Sequence, residues 1–211
     1  MSLQKGINDG FIIDIGANIG FYTILFAKRY PNYRIISIEA SKKVFEQLEQ
    51  NCNLNNINTS RISLINKATT DVANKKINFY EMESLSTIFK ELLVDLPLAT
   101  VGKNNNPLFN TEIVETTTID STVRTGDITK ISLIKIDVES AEVLTLRGGI
   151  QTLRQKRIKT MIIEFHCRDN YNYIIKLLKE LGYSISSSME RLGIHTDPKY
   201  INGHIIAELI E

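Results

Sequence analysis

Several features of secreted, membrane-bound or nucleic-acid-binding chains are scarce in this sequence of 211 residues. There are only 2 cysteines, Cys52 and Cys167, and they form no disulfide framework. Two buried free thiols in a reduced, cytoplasmic enzyme are the expectation. No apolar stretch approaches the roughly 20 residues that a membrane-spanning helix needs. The opening Met-Ser-Leu-Gln-Lys lacks the apolar centre of a cleavable leader. Charge of one sign is also missing, because 25 Lys and Arg stand against 24 Asp and Glu for a formal net charge of +1. Such a balance gives no electrostatic case for generic binding to nucleic acid or to an anionic membrane. No internal repeat or low-complexity segment is visible, and the length suits one domain, residues 1–211, with a substantial buried core.

What is present begins almost at once. Phe11-Ile-Ile-Asp-Ile-Gly-Ala-Asn-Ile-Gly-Phe21 runs from an apolar segment through an acidic residue and two glycines, and continues as Tyr22-Thr-Ile-Leu-Phe-Ala-Lys28. It reads as strand, tight turn and helix. Gly16 and Gly20 are expected to make room for a small molecule above the strand end, and Asp14 to accept hydrogen bonds from it. Open parallel sheets bind their cofactors at this place.

The helix, about Gly20 to Arg29, stops before Pro31, and Arg34 to Glu39 forms a second buried strand. Ser41 is a plausible N-cap for a further helix whose Val44, Phe45, Leu48 and Cys52 recur at helical spacing. Ile62 to Ile65 is a third strand, ending at Asn66-Lys67-Ala68. Lys76 to Glu81 and Ile113 to Ile119 read as shorter strands, and Met82 to Glu112 between them as an insertion or lid over the mouth of the sheet. Ile131 to Val138 is a strongly apolar strand. A helix from about Ser140 to Arg154, interrupted at Gly148-Gly149, follows it. Then come a strand from Lys159 to Phe165, a helix from Asn170 to Leu181 ended by Gly182, and strands at Tyr183 to Ser188 and Gly203 to Leu209. Strands alternating with helices imply right-handed crossovers and a mainly parallel sheet.

Two cofactor classes could use the first turn. Nicotinamide dinucleotides want Gly-x-Gly-x-x-Gly, but Gly16-Ala-Asn-Ile-Gly20 lacks the middle glycine, and Asp14 would repel a pyrophosphate. A cofactor with a sulfonium and an ammonium, S-adenosyl-L-methionine, meets neither objection. Glu39 ends the second strand, where a carboxylate accepts both ribose hydroxyls of an adenosine. A second dense cluster is Leu133-Ile-Lys-Ile-Asp-Val-Glu-Ser-Ala-Glu142. A carboxylate such as Asp137, at the end of an apolar central strand, costs free energy unless it serves a site. Glu142 divides between that role and complementing a helix N-terminus.

With these residues in view, the sequence resembles the FkbM family of S-adenosylmethionine-dependent methyltransferases. The matching features are Ile13 to Thr23, the Glu39 strand, Lys135-Ile-Asp-Val-Glu-Ser-Ala-Glu142, Leu146-Arg-Gly-Gly149 and Ile162-Ile-Glu-Phe-His166, in family order. The resemblance implies a Rossmann-like α/β fold: a seven-stranded, mostly parallel sheet with an antiparallel last strand and helices on both faces. It also implies methyl transfer, most often to a hydroxyl of a sugar, glycan or small metabolite. Ser140 departs from the family's usual glycine, and an N-terminal element that often covers the cofactor is not legible here or comes from another subunit.

Expected cofactor contacts on the first turn and helix are Asp14, Gly16, Asn18, Gly20, Phe21 and Thr23. Glu39 and Ala40, Lys67 and Ala68, and Asp137 are expected to join them from the later strand ends. Candidate catalytic groups are Asp137, Glu139, Glu164 and His166, with His166 able to take a proton at neutral pH. Glu164 is also read as a buried partner of Lys135. His195 and His204 lack metal-ligand spacing to each other or to Cys167, so no metal is expected. A nicotinamide-dependent oxidoreductase and a binding module without turnover are the alternative readings. Nucleic-acid methylation is disfavoured by the balanced charge and by the lack of an Asn-Pro-Pro-Tyr-like motif.

Overall fold

A computed structural model describes residues 10–57, 59–81, 86–87, 110–139, 141–190 and 202–210. In chain order these form β1 (Phe11–Ile15), α1 (Phe21–Arg29), β2 (Arg34–Glu39), α2 (Lys42–Leu54), β3 (Ile62–Asn66), β4 (Ala68–Thr69), β5 (Lys76–Glu81), β6 (Ser86–Thr87) and β7 (Asn110–Thr117). Then follow α3 (Ile119–Thr125), β8 (Ile131–Ile136), α4 (Glu142–Arg147), α5 (Ile150–Arg154), β9 (Ile158–Phe165), α6 (Arg168–Glu180), β10 (Tyr183–Glu190) and β11 (Asn202–Leu209).

The large sheet has 7 strands in the order β10-β11-β9-β8-β1-β2-β3. The pairs of β1 with β2 and β8, of β2 with β3 and of β8 with β9 are parallel, whereas β11 runs antiparallel to both β9 and β10. The expected sheet is thus present, with the last strand reversed. Successive side chains of a strand alternate between faces. Ile13, Ile15, Ile36, Ile38, Ile134 and Ile136 therefore share one face, and they pack with Ile119, Val123, Leu146, Leu153, Ile174 and Leu178 of α3 to α6. The opposite face carries Ile12 and Ile35 beneath Phe26 and Ala27 of α1, and Leu64 beside Leu48 and Cys52 of α2.

A smaller sheet of 4 strands, β4-β7-β5-β6, grows from the chain just beyond β3. Its core of Ala68, Phe79 and Val114 packs against Ala40, at the carboxyl end of β2. Most of the expected insertion Met82 to Glu112 lies outside the described residues, as do Ser140, His195 and residues 1–9. The described parts of that insertion, Ser86–Thr87 and Asn110 to Glu112, belong to this small sheet.

Three differences from the sequence reading bear on the site and its supports. Ile119 starts α3 instead of ending a strand, because Thr118 accepts a hydrogen bond from the Ser121 backbone and Ser121 returns one, which closes a capping box. Asp137 and Val138 lie past β8 in a turn. The long helix after them is two short ones, α4 and α5, divided at Gly148-Gly149.

Candidate active site

The turn from β1 to α1 is built around close backbone approaches. Gly16 has φ +73° and Gly20 φ +93°. A Cβ on Gly16 would strike the Asp137 carbonyl oxygen, and one on Gly20 would come within 2.5 Å of Leu48 Cδ1. Both glycines are thus demanded by neighbouring protein atoms. Gly16 N–H and Ala17 N–H both donate to the Ile38 carbonyl, at 2.9 and 3.0 Å, and tie the turn to β2.

Sheet register decides where Asp14 points. It shares a face with Ile12, so it lies under α1, in line with Ser37 on β2 and Lys135 on β8. Asp14 has no solvent exposure. Thr23 Oγ1 donates to Asp14 Oδ2 at 2.7 Å and also lies 2.8 Å from Ser37 Oγ. Asp14 Oδ1 has no hydrogen-bond partner among the described residues, and Lys135 Nζ lies 4.0 Å from it. Burial pushes the Asp14 carboxyl above its ordinary range, against the pull of Lys135 and Thr23. Lys135 also pairs with Asp137 Oδ2 at 3.0 Å and sits 4.7 Å from the centre of the Tyr22 ring. Among the described residues its ion-pair partners are therefore Asp14 and Asp137, and not Glu164 as the sequence suggested; Glu164 lies within β9 and faces two histidines.

Glu39 closes β2 with only 7% of its surface exposed. Its Oε2 accepts from Asn18 N–H at 2.9 Å and its Oε1 from Ser41 N–H at 3.0 Å. Burial raises its pKa although these N–H groups oppose the shift. A carboxylate has about four lone-pair sites, more than these backbone groups fill, so acceptor capacity remains for a hydroxyl. Asn18 is exposed with φ 50°, and Phe21 is 68% exposed. Thr23 and Ala68 are buried among protein atoms, and Lys67 pairs with Glu115 at 2.7 Å.

The second group gathers beyond β8 and β9. His166 Nδ1 lies 2.8 Å from Oε1 of Glu142, which is fully buried, and Asn170 Nδ2 donates to Glu142 Oε2 at 2.8 Å. His166 Nε2 faces Glu139 Oε2 at 3.3 Å and Glu164 Oε1 at 3.7 Å. His204 Nε2 lies 3.5 Å from Glu164 Oε2. Burial alone would lower the His166 pKa, but the hydrogen bond to Glu142 and the charges of Glu142, Glu139 and Glu164 outweigh it and raise the value to about 9. Burial also raises the pKa of Glu139 and of Glu164. Glu139 holds a left-handed φ of 45°, a conformation that costs free energy outside glycine and clusters at functional sites. Sequence reasoning left Glu142 between helix capping and function. It sits in the first turn of α4 and its carboxylate anchors His166, a role its position at the start of a helix concealed.

The Methyltransferase FkbM domain matches residues 14–185, most of the chain. The protein belongs to the FkbM methyltransferase family. Among its curated relatives, "Methyltransferase 1" of Beauveria bassiana (strain ARSEF 2860) is 27% identical over 150 residues, covering 67% of this chain and 59% of that protein. The "31-O-demethyl-FK506 methyltransferase FkbM" of Streptomyces tacrolimicus is 24% identical over 208 residues, 88% of this chain and 77% of its own length. The chain thus spans about three fifths of the fungal relative. Among solved structures, a "METTL16 MTase domain" aligns with a TM-score of 0.54 at 11% identity, over 99% of this chain and 63% of that one, which shows the shared fold.

The family is one of methyltransferases, for which S-adenosylmethionine is the methyl donor. The residues present fit that cofactor. The strand ends beside the turn carry the carboxylates of Glu39 and Asp137, which suit a cation and ribose hydroxyls and oppose a pyrophosphate, while Asp14 lies buried beneath the turn. The nicotinamide-dependent alternative loses its support with the family in place. Among the described residues, no helix is long and apolar enough to cross a membrane.

Proposed function

We propose that this protein of the FkbM family methylates a hydroxyl of a sugar, glycan or small metabolite. The observation that carries the reading is the cluster of Asp137, Glu139, Glu164 and His166 at the carboxyl edge of β8 and β9, beside the β1–α1 turn.

In this reading Glu39 holds the ribose, with Asn18, Ala40 and Phe21 around the nucleoside. The first turn of α1, whose N-cap makes no side-chain hydrogen bond, faces the carboxylate of the amino-acid end. Asp14 and Thr23 act from below by holding the turn, and Asp137 stands at the wall where the methyl group leaves. S-adenosylmethionine supplies an electrophilic methyl on a sulfonium, and the protein's share is to align the acceptor oxygen with it and exclude water. His166, already protonated at neutral pH in the metal-free site, is poorly placed to take the acceptor's proton. Glu139 is the better base, because its raised pKa makes it a stronger proton acceptor than an ordinary carboxylate. Glu164 then shares the charge of His166 from the other side.

Met82 to Glu112 serves in this reading as a lid that selects the acceptor; Glu112 Oε2, which accepts from Lys42 N–H at 3.1 Å, ties its end to the start of α2. A cytoplasmic setting is consistent with two unpaired thiols at Cys52 and Cys167. The balanced charge supports a small-molecule or glycan acceptor over a nucleic acid. The test is methyl transfer from isotope-labelled S-adenosylmethionine to a panel of hydroxyl and amine acceptors, read by mass spectrometry. Label on oxygen is expected; label only on nitrogen, or on RNA, overturns the reading.

A further inference from the structure

Asp137, Glu139 and His166 bring three ligand atoms within 4.8 Å of one another. Asp137 and Glu139 come from the turn after β8, and His166 follows β9, so two adjacent parallel strands aim them at one point. The imidazole is held from behind. Its Nδ1 meets the fully buried Glu142 at 2.8 Å, and Glu142 is itself held by Asn170 at 2.8 Å. That arrangement fixes the ring with Nε2 turned to Glu139 at 3.3 Å and Glu164 at 3.7 Å. A metal-bound histidine is oriented in the same way, its far nitrogen donating to a buried carboxylate that other groups hydrogen-bond. Atoms ligating one ion at about 2.1 Å in octahedral geometry stand about 3 Å apart, close to the Nε2 to Oε2 spacing here.

Charge points the same way. Asp137, Glu139, Glu142 and Glu164 crowd this edge, and Lys135 is divided between Asp137 and the buried Asp14, whose Oδ1 has no hydrogen-bond partner among the described residues. Among the described residues, the carboxylates of the cluster outnumber the one lysine that reaches it. A divalent ion in place of the imidazolium proton, together with a sulfonium donor nearby, would bring it close to neutrality.

We propose that Asp137, Glu139 and His166 bind a divalent cation, with Glu164 beside it and Glu142 as the residue that positions His166. Two carboxylates and one imidazole suit a first-row ion such as Mn2+, Fe2+ or Zn2+, while Cu+ would want thiolates. The site contradicts the expectation of no metal drawn from the sequence, where no local spacing joins His166 to Asp137 and Glu139. Its use in catalysis rests on the methyl-transfer reading: with Glu139 engaged on the ion, Glu164 would take its place as base, accepting the proton of the ion-held hydroxyl as the oxygen bonds to the methyl carbon, the carbon–sulfur bond of the sulfonium breaks and the neutral thioether leaves.

Mn2+ alone, titrated into the chelator-treated full chain and followed by electron paramagnetic resonance, is expected to saturate at one ion per protein. Pulsed spectra should show coupling to a histidine nitrogen that survives His204→Ala and is lost in His166→Gln. Glu139→Gln should weaken binding at least about tenfold, and Glu142→Gln about 10- to 100-fold through the loss of ring orientation. Absence of saturable binding, or binding without nitrogen coupling in the unaltered protein, overturns the proposal even if a variant fails to fold. Mn2+ binding in a protein that transfers no methyl group would instead sink the functional reading and leave the site standing.

Discussion

His166 Nδ1 lies 2.8 Å from Oε1 of Glu142, a carboxylate with no solvent exposure, and this one contact joins the end of β9 to the first turn of α4. A buried charge pair contributes little net stability when intact, but removing one partner strands the other. Glu142→Ala should therefore destabilise the protein by about 3 kcal/mol, measured by urea denaturation. A variant within about 0.5 kcal/mol of the parent would show that the pair does not form.

In the metal-free protein the His166 imidazole should titrate near pH 9, well above its ordinary 6.5. The raised value fixes the sign. The contact stabilises fully below about pH 6.5 and its contribution is lost as pH rises through about 9. NMR titration of the imidazole resonances reads this directly, with His166→Gln assigning the signal. A midpoint near 6.5 would mean that the surrounding carboxylates do not hold the proton.

Gly16→Ala should be worse than Gly20→Ala. At Gly16 the new Cβ meets a backbone carbonyl, that of Asp137, while at Gly20 it meets the flexible end of Leu48. Both positions have positive φ, so each substitution costs at least about 1 kcal/mol in backbone strain. Thermal denaturation of the two variants should separate them, and equal melting temperatures would contradict the steric account.

Thr23→Val removes the hydroxyl that donates to Asp14 and leaves a buried carboxylate short of a partner, at about 1–3 kcal/mol. Because Thr23 faces Asp14 and Ser37, its loss should lower stability while cofactor affinity in the folded fraction stays near that of the parent. A large affinity loss at unchanged melting temperature would place Thr23 at the ligand instead.

The parallel core was legible because β1, β2 and β8 are short apolar runs bounded by turn residues, and because each ends near a carboxylate. Helix α3 was not, since its capping box uses Ser121 in place of the usual glutamate or glutamine, and Ile119 continues the apolar alternation of β7. At the site, Glu39, Asp137 and His166 stood out as polar residues at strand ends. The direction of Asp14 did not, because period-two alternation places it under α1 only once the register with Ser37 and Lys135 is known. Lys135 was assigned to Glu164 because sequence shows which residues are charged but not the register: Lys135 stands opposite Ile162, two residues before Glu164, and Asp14 and Asp137 are its ion-pair partners. Glu142 was hidden because a glutamate at a helix start has an ordinary electrostatic explanation, and only the arrival of α6 with Asn170 reveals its buried role.

The most direct test is calorimetric titration of S-adenosylhomocysteine into the parent protein and into Glu39→Ala, with NAD as the comparison ligand. The parent should bind one S-adenosylhomocysteine per chain and no NAD, and Glu39→Ala should lose at least about tenfold in affinity as the charged acceptor for the ribose is removed. Binding of NAD without S-adenosylhomocysteine, or equal affinity in the variant, would contradict the assignment of the donor site to the end of β2 beside the β1–α1 turn.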